Sequence, residues 1–150
     1  MQVSKPILAI DYGQKRFGIA ISDSKGIVAS PLEVLYITKN RGEDEIIKDI
    51  IEIINQYNIQ SILIGKPQIF EIQYKKSINK IDKFVKKLSL ETSLPILFQD
   101  ESYSTTQAQN MLLSLGQNSK SSKGKIDMIS ATVFLQDFLN SIKTENEKHN

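Results

Sequence analysis

The stretch ILAIDYGQKRFGIAIS, residues 7–22, decides how the rest of the chain is read. Residues 7–10 form an apolar run of interior-strand type that stops on Asp11. Gly13 and the basic pair Lys15 and Arg16 then mark a turn, and residues 17–22 return as a second apolar run. Two such runs joined by a short glycine-bearing link read as a β-hairpin. A buried strand that runs straight onto a carboxylate has two readings. Asp11 is either a turn residue, a role aspartate fills by bonding nearby backbone, or the first ligand of a metal site.

Outward from the hairpin, SDSKG (22–26) is a second turn and IVASPLEVLYI (27–37) a third strand. Pro31 has no N–H to give a ladder, which puts that strand at a sheet edge. The hydrophobic period then changes from two to that of a helix. In EDEIIKDIIEIINQY (43–57) the apolar stripe is Ile46, Ile47, Ile50, Ile51, Ile54 and Tyr57, with Glu43, Asp44 and Glu45 in the first turn, where the helix dipole favours them. SILIG (61–65) is a short apolar strand. A second helix spans roughly 75–91, with Ile78, Ile81, Val85 and Leu88 inward and Lys75, Lys76, Lys80, Lys83, Lys86 and Lys87 on its other faces. PILFQDE (95–101) is a strand that again runs into acids. STTQAQNMLLSLG (104–116) reads as a helix opened by Ser104 or Thr105 and closed by Gly116. A cationic loop (117–125) leads to the last helix, 126–142, with Asp127 in its first turn.

The element order is therefore β-β-β-α-β-α-β-α-α. Short links force the first three strands to be antiparallel, whereas helical crossovers let the last two run parallel to the first. That describes an α/β fold with a five-stranded mixed sheet and helices on its faces. Residues 1–142 are expected to form one domain, and the polar stretch 143–150 a disordered tail.

Composition narrows the chemistry. At 150 residues, 40% hydrophobic and 24% charged, the chain has the makeup of an ordinary globular domain. A net charge of +2 is too small to argue for a nucleic-acid partner, so any basic footprint must be local. The absence of cysteine excludes disulfides, thiolate metal sites and cysteine nucleophiles. The one histidine, His149, lies beside the last residue, so Ser-His and His-metal catalysis have no material. Carboxylates remain. No apolar run approaches the ~20 residues of a membrane span, and MQVSKPILAI lacks the features of a secretory signal. A cytoplasmic protein with no membrane association is the expectation.

Asp11 ends the first strand, Asp100 and Glu101 end the last, and Asp127 opens the last helix. If the first and last strands are parallel members of one sheet, their C-terminal ends open on the same edge, where ligands of α/β sheets bind. Like charges gathered there repel, and a divalent cation relieves that repulsion. Two such ions with oxygen ligands would activate water and stabilise the leaving oxygen of a phosphodiester. Taken singly, each acid has a plainer reading as a turn residue, a loop acid or a first-turn helix acid. The joint placement carries the metal reading. Lys120, Lys123 and Lys125, in a loop without acids, are the better candidates for phosphate-backbone contacts, while the lysines of the second helix read as a solvated face.

Three segments, IDYGQKRFGIAISD, the DES-x-ST run at 100–105 and GKIDMISATVFLQDFL, together resemble the YqgF family, a Holliday-junction-resolvase-like group also described as pre-16S rRNA nucleases. The resemblance covers roughly residues 7–140. It implies an RNase H-like fold, strand order 3-2-1-4-5 with helices on both faces, and a cytoplasmic nuclease using Mg²⁺ or Mn²⁺, two ions with substrate bound. It further implies maturation of the 5′ end of 16S rRNA, with pre-16S rRNA as partner, DNA junctions as the alternative substrate, and a monomer or weak homodimer. The family's acids carry over as catalytic and metal-binding Asp11, Glu101 and Asp127, with Asp100 the neighbour able to substitute for Glu101. Two departures stand out: Ser102 occupies the place of a family arginine, and the fourth strand leads into GKPQIFE instead of a Gly-Leu-Pro turn. Loss of that arginine removes a bidentate phosphate clamp, for which Lys15, Arg16 and Lys66 are the replacement candidates. The alternatives are a non-catalytic RNA- or protein-binding module on the same fold, and a nucleotide-binding fragment of actin or Hsp70 type.

Overall fold

A computed structural model describes residues 2–66, 72–100 and 123–148. Its elements are β1 (Ile7–Asp11), β2 (Arg16–Ser22), β3 (Ala29–Tyr36), α1 (Glu43–Tyr57), β4 (Ser61–Lys66), α2 (Ile72–Glu91), β5 (Ile96–Asp100) and α3 (Lys123–Lys148). The strands form one sheet in the order β3-β2-β1-β4-β5. β1 pairs antiparallel with β2, and β2 with β3, while the β1–β4 and β4–β5 pairs are parallel. This is the topology expected from the short links and helical crossovers. The expected helix at 104–116 lies outside the described residues.

Alternation along each strand sorts the core into two layers. Leu8, Ile10, Phe17, Ile19, Ile62 and Ile64 pack under α1 and α2, against Ile46, Ile50, Ile81, Phe84 and Leu88. Ile7, Ala9, Ala20 and Leu63 pack under α3, against Ala131, Phe134, Leu135, Phe138 and Leu139. Odd positions of β1 thus face α3 and even positions face α1 and α2. The small Ala9 and Ala20 face two phenylalanines, a pairing of small with large that fills the layer without voids.

The sequence stripes hold in their main part, but Tyr57, expected on the stripe of α1, is exposed at the last position of that helix. In α1, Ile53 is buried where Ile51 was expected; at about 100° per residue, Ile53 lies nearer the stripe's mid-line. In α2, Phe84 joins the buried set. Glu45 accepts a hydrogen bond from the Gly42 N–H at 3.0 Å and so closes the start of α1. Its other end is closed by Asn58 in the left-handed conformation (φ 55°), whose N–H bonds the Ile54 carbonyl. Pro31 sits on the flanking strand β3, as its missing N–H requires, and the β2–β3 register slips beside it: Ile19 pairs with Glu33 but Ala20 with Pro31, leaving Leu32 as the extra residue.

The last helix exceeds the sequence expectation at both ends. It begins at Lys123, in the stretch read as loop, and runs through Lys148, across most of the stretch expected to be disordered. Residues 143–148 contain no proline or glycine, and Lys and Glu are good helix formers, so nothing local stops the helix. Gln136 couples it to the sheet margin, accepting from the Ala29 N–H at 2.9 Å and donating to the Ile27 carbonyl at 3.0 Å. Among the described residues, no helix is long and apolar enough to cross a membrane.

Candidate active site at the C-terminal edge of the sheet

Asp11, the last residue of β1, is half-buried and in register with Gly18 of β2 on one side and Gly65 of β4 on the other. Both lateral neighbours of the carboxylate therefore lack a side chain. Alternation places Asp11 on the same face as Ile7 and Ala9, the face covered by α3.

Gly18 is required for a second reason. A Cβ there would collide with the backbone carbonyl of Asp127 and come within 2.8 Å of the Met128 nitrogen. α3 thus lies directly on the β2 backbone at Asp127 and Met128, where only glycine leaves room. Because the helix starts at Lys123, Asp127 falls one turn inside it and not in the first turn expected from the sequence. Asp11 and Asp127 stand on two sides of the same glycine, one across the ladder and the other above it. Gly13 serves the turn itself: a Cβ would strike the carbonyl of Arg16, so the link from Asp11 back to Arg16 closes only with glycine. The Lys15 carbonyl is fixed in turn by the Ile37 N–H at 2.9 Å.

Arg16, a candidate for nucleic-acid contact, donates from Nε to Asp127 Oδ2 at 2.6 Å. That hydrogen bond, and then the carboxylate's charge, raise the Arg16 pKa above its ordinary value. The pair joins residues 111 positions apart, and no local sequence signal announces it. Only the register, with Arg16 and Gly18 on one face of β2 and α3 lying on Gly18, brings them together.

The remaining expected residues are placed as follows. Asp100 ends β5 and pairs in register with Lys66, the last residue of β4. Lys123 and Lys125 fall in the first turn of α3 instead of a loop. Glu101 and Lys120 lie outside the described residues. Among the described residues, no group of three carboxylates or imidazoles is close enough to hold a metal ion. Asp11 and Asp127 lie at the same edge of the α3 face and carry hard oxygen donors, a chemistry suited to Mg²⁺ or Mn²⁺.

On the other face of the same edge, Tyr12 packs edge-on against Phe17 (centroids 5.1 Å apart) and at a tilt against Phe84 of α2 (5.3 Å). Burial, and then the nearby Glu43 charge, push its phenol pKa upward, so the hydroxyl stays protonated as a donor. Sequence reading did not single out Tyr12. Its position one residue after a buried strand, with a buried aromatic partner on each neighbour, was the signal available.

Known proteins resemble this chain over nearly its full length. Residues 5–141 match the RuvX family, described as Holliday junction resolvase. A Rickettsia typhi protein named "Putative pre-16S rRNA nuclease" is 36% identical over 143 residues, covering 95% of this chain and 90% of its own length. A Geobacillus protein of the same name is 35% identical over 135 residues, covering 90% and 97%. Among solved structures, T. thermophilus RuvC in complex with Holliday junction substrate superposes with a TM-score of 0.61 at 12% identity, covering 92% of this chain and 95% of that one. The Fowlpox virus resolvase bound to Holliday junction DNA gives 0.55 at 15% identity, covering 92% and 99%. These two share the fold of resolvases of RNase H type. The match over residues 5–141, with relatives at this identity, shows that the chain belongs to the RuvX (YqgF) family.

Proposed function

We propose that the chain is a cytoplasmic, divalent-metal-dependent endonuclease that trims the 5′ end of pre-16S rRNA, with Asp11, Glu101 and Asp127 as its catalytic carboxylates. The family supplies the reaction class, hydrolysis of phosphodiester bonds in nucleic acid. The observation that carries the site is the placement of Asp11 and Asp127 about Gly18, at the C-terminal end of the central strand. Glu101 enters as the third carboxylate on the family resemblance, with Asp100, at the end of β5, as its neighbour.

In this reading Asp11, Glu101 and Asp127 would hold one or two Mg²⁺ or Mn²⁺ ions, which would supply activation of water and charge stabilisation of the departing oxygen. Asp11 orients from the strand end and Asp127 from a helix rooted on the β2 backbone, so neither depends on a long mobile loop for its position. Arg16 neutralises Asp127 when no cation does, which lowers the repulsion among acids at this sheet edge. Given up by Asp127, its guanidinium is a phosphate-binding group close to the site, a substitute for the arginine that Ser102 replaces.

Cleavage of a structured 16S precursor, and of a four-way DNA junction, by wild type and by Asp11→Asn, Glu101→Gln and Asp127→Asn tests the reading. The expected result is Mg²⁺- or Mn²⁺-dependent cleavage of the RNA, reduced about 100-fold or more in each variant with substrate binding retained. Residual activity equal in wild type and Asp11→Asn would refute the assignment. Preference for the junction would move the substrate from RNA to DNA, and binding without cleavage would favour a non-catalytic module.

A further inference from the structure

One charged surface has no part in the chemistry above. On the α1/α2 side of the sheet, beside the β1–β2 turn, Tyr12, Gln14, Glu43, Lys80, Lys83 and Lys87 line a cleft of about 370 Å³. The three lysines are spaced i, i+3 and i+7, so they occupy one face of α2. Phe84 sets them there. It is fully buried and lies 5.2 Å from Phe17 and 5.3 Å from Tyr12, ring centre to ring centre. This aromatic cluster fastens α2 to the hairpin, and it holds the lysine row beside Tyr12, the residue after Asp11, on the opposite face of the same edge.

The charges in the cleft do not balance. Glu43 is the one acid in its lining, set against three ammonium groups. Lys87 is shared with Asp44 at 3.5 Å, and among the described residues Lys80 and Lys83 make no ion pair. Adjacent cations with one facing acid repel, and an anion laid along them relieves the repulsion. Lysine is a flexible point charge suited to phosphate without regard to sequence, and Tyr12 adds a hydroxyl donor and an aromatic edge.

We propose that this cleft is a second nucleic-acid contact, in which Lys80 and Lys83, backed by Lys87 and Tyr12, take backbone phosphates of the substrate flanking the bond presented to Asp11. The proposal rests on the nuclease reading and adds to it where the uncut backbone runs: over the sheet edge and onto α2. Recognition here is electrostatic and indifferent to base identity, so it positions substrate and does not select sequence.

The test is anisotropy of a fluorescein-labelled RNA hairpin with single-stranded flanks, bound by the full chain carrying Asp11→Asn to prevent cleavage, between 50 and 200 mM KCl. Lys80→Glu/Lys83→Glu is compared with Lys86→Glu/Lys143→Glu, which makes the same charge change at exposed lysines outside the cleft. We expect the cleft pair to lose at least tenfold in affinity. Its log–log salt slope should fall by about 1.4–1.8, at about 0.7–0.9 per phosphate contact. The outside pair should lose less than threefold with its slope unchanged. Equal losses in the two pairs, or full affinity in the cleft pair, would overturn the cleft as a site while leaving the nuclease reading intact. Failure of the Asp11→Asn parent to bind either RNA or a DNA hairpin would overturn both. Thermal melts by circular dichroism, and the neutral Lys80→Gln/Lys83→Gln pair with an intermediate loss, separate binding from folding.

Discussion

The Arg16–Asp127 pair offers the sharpest test of how the edge is held together without a cation. Its partners are 38% and 25% exposed, and its Nε–Oδ2 distance is 2.6 Å. A hydrogen bond to a charged group contributes ~1.5–3 kcal/mol when sheltered, and a solvent-exposed ion pair ~0.2–1 kcal/mol. With the guanidinium more than a third exposed, the screened end of that range applies, and the coupling should be about 1 kcal/mol. The perturbation is a double-mutant cycle of Arg16→Gln and Asp127→Asn, followed by urea denaturation. Each single variant also leaves its partner without its ion pair, so only the cycle isolates the contact. In a domain of this size, a coupling of about 1 kcal/mol corresponds to ~2–4 °C in Tm. It should shrink in 1 M salt, where the screening length falls to ~3 Å. Saturating Mg²⁺ should abolish it, because a cation on Asp127 displaces Arg16. A coupling below ~0.3 kcal/mol in the absence of divalent ions would refute the pair. A coupling that persists unchanged in Mg²⁺ would refute Asp127 as a ligand, independently of any activity measurement.

Two further outcomes follow from the same geometry. Gly18→Ala should cost about 2–3 kcal/mol by urea denaturation and reduce cleavage, because its Cβ meets the backbone of α3 and not a side chain able to turn aside; Gly42→Ala, whose nearest neighbour would be Glu45 Oε2 at 3.7 Å, should cost under about 1 kcal/mol. Burial raises the Tyr12 phenol above its usual 10.0, so its contribution to stability is full below pH 10 and is lost as pH climbs through the folded-state value. Urea midpoints between pH 9 and 11.5 should therefore fall more steeply in wild type than in Tyr12→Phe, and parallel curves would remove Tyr12 as the cause.

Much of this fold was legible because each element carries its own period. The hairpin, the change of period at residue 43 and the helical crossovers led to the mixed sheet, and Pro31 placed β3 at its margin for a reason internal to one residue. What could not be read were relations between distant elements. Gly18 in a strand looks like a weak point until the β1–β2 register puts Asp11 across from it and α3 settles on its backbone. Arg16 looks like a free basic turn residue until the same contact delivers Asp127 to it. The lysines of α2 look like a solvated face, which most such runs are, and Lys86 fits that description. Lys80, Lys83 and Lys87 differ from it only through Phe84, whose burial turns their side of the helix toward the hairpin.

The net charge of +2 shows how an average conceals this arrangement. The pleat of β1 sends Asp11 toward α3, while Tyr12, the next residue, packs on the α1/α2 side. One peptide unit thus separates the face that carries Asp11 and Asp127 from the face where three lysines line one cleft. A polyanionic substrate crossing that edge meets opposite fields on its two sides: one that needs cations to hold phosphate, and one that holds it directly. Without divalent ions, the lysine face should dominate and the chain should bind nucleic acid without cutting it. Arg16, engaged by Asp127, keeps the carboxylate face from repelling that same backbone. Binding and cleavage would then answer to different residues on opposite faces of one strand end, which is why charge reversal at Lys80 and Lys83 and neutralisation at Asp11 should fail in different ways.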